Sequence, residues 1–156
     1  MGFYVIQTIM GLLGSVGFAV LFGLYDRKLF MIAAGSAAGW AVYLACTASG
    51  SSLFVGLFVS GLFITALSEI LARILKTPVI LLLVPILIPE IPGADLYYTM
   101  YYLVQGLYTE FGSSLNKVLT EAGAIALGII LVSHVARFFR NIHSHMQERP
   151  EGVKRN

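Results

Sequence analysis

Charge is scarce in this 156-residue chain: Asp, Glu, Lys and Arg make up 12% of it and 58% is hydrophobic, where an ordinary soluble domain is about a quarter charged. No charged residue precedes Asp26, and none lies between Lys28 and Glu69. A bilayer is crossed by about 20 mainly apolar residues, so runs of this length exclude a soluble fold and leave lipid as the solvent. Cysteine is nearly absent as well. The single Cys46 sits in an apolar stretch, which excludes a disulfide framework and a thiolate cluster for zinc or iron–sulfur and leaves a small packing residue. A net charge of +2 is too small to attract nucleic acid. No basic segment precedes the first apolar run, which therefore reads as a mature span, and Ile6 stands where myristoylation requires Ser or Thr.

Catalytic signatures are missing too. HExxH, GxSxG and GxxxxGK[ST] do not occur, so no catalytic residue, cofactor or enzyme activity is expected. His134 lies near the end of the last apolar run and His143 and His145 in a polar tail; metal sites usually need three or four ligands, and these histidines read as a solvated face.

What remains is a set of apolar segments with short polar breaks. Span one is expected at about residues 3–24, span two at 29–47, span three at 53–75 and span five at 121–139. The fold class is all-α: a polytopic helical membrane protein of about five spans, one of them a proline-broken helix. Residues 1–140 form the transmembrane domain and residues 141–156 a cytoplasmic polar tail.

The fourth segment, residues 79–108, is interrupted by Pro85, Pro89, Pro92 and Gly93. As a straight helix it would measure about 45 Å, against a hydrocarbon core of about 30 Å. Each interior proline removes a donor and clashes with the carbonyl four residues back, so two half-helices joined by an irregular linker at residues 89–93 are expected.

Basic residues set the orientation, because Lys and Arg near span ends are retained in the cytoplasm. Arg27 and Lys28, Arg73 and Lys76, and Arg137 and Arg140 mark three inside ends. The N-terminus is then outside and the C-terminus cytoplasmic, provided residues 79–108 cross once. Small residues at four-residue spacing, Gly35 and Gly39, Gly56 and Ser60, Ala124 and Gly128, together with a stripe of Gly11, Gly14 and Gly17, predict close helix packing within the chain or against another chain.

The candidate site is the break. Unpaired backbone at membrane depth must face protein or water, and in transporters half-helix ends meet the solute. Pro85, Pro89, Glu90, Pro92 and Gly93, with Tyr97 and Tyr101 on the following half-helix, form the expected substrate-binding set. Its helix N-terminus suits a carboxylate. The alternative is a kink that serves packing alone. Glu90 is either a proton or cation site or a solvated acid near the surface. Asp95 either caps the half-helix or competes with substrate. Tyr97, Tyr101 and Tyr108 recur on one face, and Tyr98, Tyr102 and Gln105 on another, with an aromatic belt and a cavity lining as the two readings. Glu69 and Arg73, four apart on span three, are gating or coupling candidates or an interfacial ion pair.

These residues resemble the threonine/serine exporter family, and within it the short membrane subunit. That subunit carries a segment similar to V-P-G-I-I-P-x-V-P-G followed by Tyr and Met. Here it reads Val84-Pro85-Ile86-Leu87-Ile88-Pro89-Glu90-Ile91-Pro92-Gly93, then Tyr97-Tyr98-Thr99-Met100, a few residues after Pro78. The run at residues 124–129 and Glu69 with Ala72-Arg73 also fit. Ile86 stands where the family usually has Gly, and Glu90 where it usually has an apolar residue. The resemblance implies a subunit of a two-part secondary exporter of threonine and serine or of short dicarboxylates such as succinate. It further implies a longer membrane subunit of the same family as partner, a small carboxylate-bearing solute and a bacterial inner membrane. A homo-oligomer is the alternative assembly, and a passive channel subunit or a membrane scaffold the alternative function.

Overall fold

Lipid offers backbone groups no hydrogen-bond partners, so an apolar run must satisfy its own amides by winding into a helix. The computed structural model describes the backbone of residues 2–147 and the side chains of residues 5–138. It contains α1 (Gly2–Leu21), α2 (Arg27–Ala48), α3 (Leu53–Leu75), α4 (Val79–Leu87), a 3₁₀ turn at Ile88–Glu90, α5 (Gly93–Val104) and α6 (Tyr108–Gln147). The protein is an all-α, polytopic helical membrane protein.

Local chemistry accounts for most boundaries. Span one was expected to reach Leu24, but Gly23 adopts φ 69°. Its N–H bonds Val20 O at 2.9 Å while Leu24 N–H bonds Ala19 O at 2.9 Å, a Schellman stop that ends α1 three residues early. Gly106, at φ 72°, ends α5 in the same way. At α3 the Ser52 hydroxyl accepts from Val55 N–H at the start, and Lys76, in the left-handed region ahead of Thr77 and Pro78, closes the end.

Two expectations need correction. Span five was placed at residues 121–139, yet α6 begins thirteen residues earlier and runs 40 residues, Tyr108–Gln147. Tyr108 therefore belongs to α6 and not to the broken segment, and the backbone of residues 141–147 continues the helix, while residues 148–156 lie outside the described set. The span count is the second. Three helices are long and apolar enough to cross (Arg27–Ala48, Leu53–Leu75 and Tyr108–Phe138), and the pair Val79–Glu90 and Gly93–Val104, bent by 63°, makes a fourth if it counts as one span. The apolar stretch Val5–Leu21 of α1 is shorter.

α4 packs on α1, α2 and α3, whereas α5 packs on α6, and α6 in turn lies along α3. Ile32 of α2, Ile64 of α3 and Leu82 and Ile86 of α4 are fully buried at the centre. Leu57, Ala124 and Ile125 form a second cluster where α3 meets α6. There the backbones touch: a Cβ on Gly128 would lie 2.9 Å from Leu62 N and 3.0 Å from Phe58 O. Helices in lipid gain from such close approach because no water is expelled when they meet. The expected small-residue spacings recur in these contacts, with Gly35 against Ile86, Gly56 against Tyr43, and Gly11 and Gly14 against Pro89 and Ile88; Gly17 meets nothing within 4 Å. Ser15 and Ser36 add a buried hydroxyl pair at 2.7 Å between α1 and α2.

Candidate functional site

Proline chemistry builds the break. Pro85 lies inside α4 and cannot donate to the carbonyl one turn back. Pro89 cannot donate to Pro85 O, which accepts instead from Ile88 N–H in a tighter turn. Pro92, at φ −75° and ψ 56°, is the centre of an inverse γ-turn in which Gly93 N–H bonds Ile91 O at 2.7 Å. Leu96 N–H then bonds Pro92 O at 2.9 Å and α5 begins. The break thus occupies residues 88–92, and Gly93 is the first residue of α5.

That turn carries Glu90 inward to 4% exposure. Its Oε1 hydrogen-bonds the Ser60 hydroxyl of α3, which also lies 2.9 Å from the Gly39 carbonyl of α2. Glycine at 39 is what admits the acid: a Cβ there would stand 3.3 Å from Glu90 Oε1 and 2.5 Å from Ile64 Cδ1. Gly11 does the same for the neighbouring proline, since its Cβ would fall 2.9 Å from Pro89 Cβ.

Beside Glu90 is a cavity of about 130 Å³, whose polar lining comes from Trp40, Tyr43, Glu90, Asp95 and Glu121. Asp95 of α5 accepts from Lys117 Nζ of α6 at 2.8 Å, and Lys117 lies 3.9 Å from Glu121 Oε1. Thr99 secures this pairing of helices, its hydroxyl donating to Asp95 O at 2.7 Å and lying 2.6 Å from the Ser114 hydroxyl. Asp95 and Lys117 also border a wider cleft of about 450 Å³ between α5 and α6, with Tyr98, Tyr102, Glu110 and Ser114. Two carboxyls therefore meet one ammonium, and Glu90 lines the smaller cavity with them. Trp40 Nε1, Glu90 Oε2 and Glu121 Oε2 are buried without a hydrogen-bond partner among the described residues. Native interiors rarely leave a donor and two acceptors unpaired in one place, and the set suits a small ligand bearing both a cationic and an acceptor group.

Of the residues singled out from the sequence, Pro89, Glu90, Pro92 and Asp95 come together on this cavity. Pro85 is packed in the core. Gly93 is exposed with open space beside it, and Tyr97 and Tyr101, 66% and 46% exposed, lie outside the residues lining both cavities. Asp95 does not cap α5; its carboxylate is taken by Lys117. Glu69 and Arg73 pair at 3.9 Å near the opposite end of α3, with the Arg73 side chain largely exposed.

Sequence reasoning missed Trp40, Tyr43, Lys117 and Glu121, and read Ser60 as a packing residue only. The available signal was Lys117 and Glu121 at i and i+4 just ahead of an apolar run, a spacing that puts both on one helix face.

A family model described as "Threonine/Serine exporter, ThrE" matches residues 7–135 of the chain. No curated protein and no solved structure matches it.

Proposed function

Starting from the fact that the chain belongs to the threonine/serine exporter family, we propose that it is one membrane half of a two-part secondary exporter whose solute site is the acid-lined cavity at the helix break. The family is one of membrane exporters, transporters and not enzymes, which supports reading the chain as a membrane component of an exporter. The finer reading rests on one observation, the buried meeting of Glu90, Asp95, Glu121 and Trp40 beside a proline-broken helix. Broken helices at membrane depth are where secondary transporters seat their solutes.

The balance of charge favours a zwitterionic amino acid over a dicarboxylate. The three cavity carboxyls attract an ammonium group and oppose a second carboxylate, while the Trp40 N–H suits the single carboxylate or hydroxyl of threonine or serine. Glu69 and Arg73, at the far end, suit a gate. The partner is a longer membrane subunit of the same family. With α1 and the broken pair each crossing a bacterial inner membrane once, the basic residues favour the N-terminus outside and the C-terminus in the cytoplasm.

Reconstitution tests this. Proteoliposomes holding both subunits should release radiolabelled threonine and serine saturably and succinate poorly, and the chain alone should release none. Saturable threonine transport by the lone chain would refute the two-part arrangement, and preference for succinate would refute the assignment of substrate.

A further inference from the structure

Resting on that export reading, we propose that Glu90 is the carboxyl at which a proton and the ammonium group of the solute replace one another. Ser60 Oγ is in contact with two oxygens, the Gly39 carbonyl and Glu90 Oε1. A hydroxyl has one proton to donate and two lone pairs to offer. When Glu90 is a carboxylic acid, it donates to Ser60, Ser60 donates to Gly39, and all three oxygens are satisfied. When Glu90 is ionised, the carboxylate and the carbonyl contest a single proton, and half of the charge falls on Oε2, which is buried without a partner among the described residues. A buried unpaired charge is costly, so the empty cavity holds the acid form.

Among the described residues the surroundings supply no competing cation. α1 and α4 present no titratable side chain to Glu90 among the described residues. α2 presents Tyr43 and the neutral Trp40, α3 presents Ser60, α5 presents Asp95, and α6 presents Glu121. Glu69 and Arg73 of α3 lie about two and a half turns or more beyond Ser60. Lys117 is engaged by Asp95 at 2.8 Å and Glu121 at 3.9 Å, which leaves Glu90 the cavity carboxyl without an ion pair among the described residues. The cationic partner that fits is one the solute brings.

The exchange balances in one step. A solute ammonium enters beside Glu90–COOH; the O–H bond breaks, the proton passes to water at the face where the cavity is open, and an ammonium–carboxylate pair remains. At the other face the solute leaves, a proton from water restores the O–H bond, and the relay through Ser60 to Gly39 closes again. One proton thus travels against each solute.

The test adds ligands to the purified complex of this chain with its longer subunit, in weak buffer with a pH-indicator dye. Ethanolamine carries an ammonium without a carboxylate, lactate a carboxylate without an ammonium, and threonine both. Ethanolamine and threonine should each release about one proton per bound molecule and lactate none, and threonine affinity should fall up to tenfold per unit as pH is lowered. Release should be lost in Glu90→Gln. Glutamine keeps a donor for Ser60, and a melting temperature at or above wild type would show the variant folded. Should it not fold, the wild-type arms decide: no release by ethanolamine or threonine, or equal release by lactate, overturns the proposal. Threonine export indifferent to an imposed proton gradient overturns it too and leaves export standing. Proton release through Glu90 without threonine export supports it and instead defeats the assignment as an exporter half.

Discussion

Glycine brings backbones together at two places in this bundle, to different ends. Where α3 meets α6, Gly61 and Gly128 bring bare backbone against bare backbone, beside Leu57, Ala124 and Ile125. Where α2 meets α3 and the break, Gly39 leaves the space into which Glu90 projects. The same residue type gives a dry seam in one case and a seat for a buried acid in the other. A small-xxx-small pattern therefore says that something comes close, and the neighbouring elements decide what.

Substitutions can break this comparison, and the largest effect is expected at the seam. Gly128→Leu would start its side chain 2.9 Å from Leu62 N, a backbone atom that cannot step aside. The helices would separate, at a cost at or above the usual range of about 1–3 kcal/mol for overpacking, and the melting temperature and the monodisperse fraction after purification should both fall. Gly39→Val meets the flexible end of Ile64 first, so its loss of stability should be smaller, but it also displaces Glu90. Threonine export per folded molecule should then drop at least tenfold. If Gly39→Val damaged stability alone and left export per folded molecule intact, both glycines would be packing residues and the contrast would vanish.

Ser60→Ala sharpens the contrast, because it removes a hydroxyl and adds no bulk. The loss should be about 0.6–2 kcal/mol by thermal unfolding, as for a hydrogen bond between membrane helices. The pH dependence of threonine binding should change along with it, whereas a purely structural serine would lower stability and leave the pH profile in place. Gly93→Ala should have the smallest effect. Its Cβ meets nothing within 4 Å, and alanine is the better helix former, so the melting temperature should hold or rise with a gain of up to about 1 kcal/mol. A clear fall in stability there would mean that the opening of α5 is packed against something.

The sequence was most legible where local chemistry acts alone. α3 falls on the expected residues, Leu53–Leu75, because a serine cap and a Lys-Thr-Pro stop bracket its apolar run. The break was legible because proline forbids helix whatever surrounds it. α6 was not. Apolarity reports depth in the membrane and not helicity, so a helix whose first turns carry Glu110, Asn116 and Lys117 looked like a loop. That error left Lys117 off the helix that carries Glu121, and the two meet Asp95 beside Glu90 only through the pairing of α5 with α6 and the inward turn at Pro89. Ser60 was misread because its partners are 21 and 30 residues away in the chain, a separation no local pattern records.

The 63° bend also sets one wall of the cavity apart from the others. Trp40, Tyr43, Leu53 and Leu57 ride on α2 and α3, and Glu121 on α6, which is seated along α3, while Asp95 rides on the shorter α5 beyond the bend. Glu90 sits at the joint, where prolines have removed the hydrogen bonds that would stiffen it. The width of the cleft is accordingly a function of one angle, and turning α5 about the break moves Asp95 relative to the other two acids.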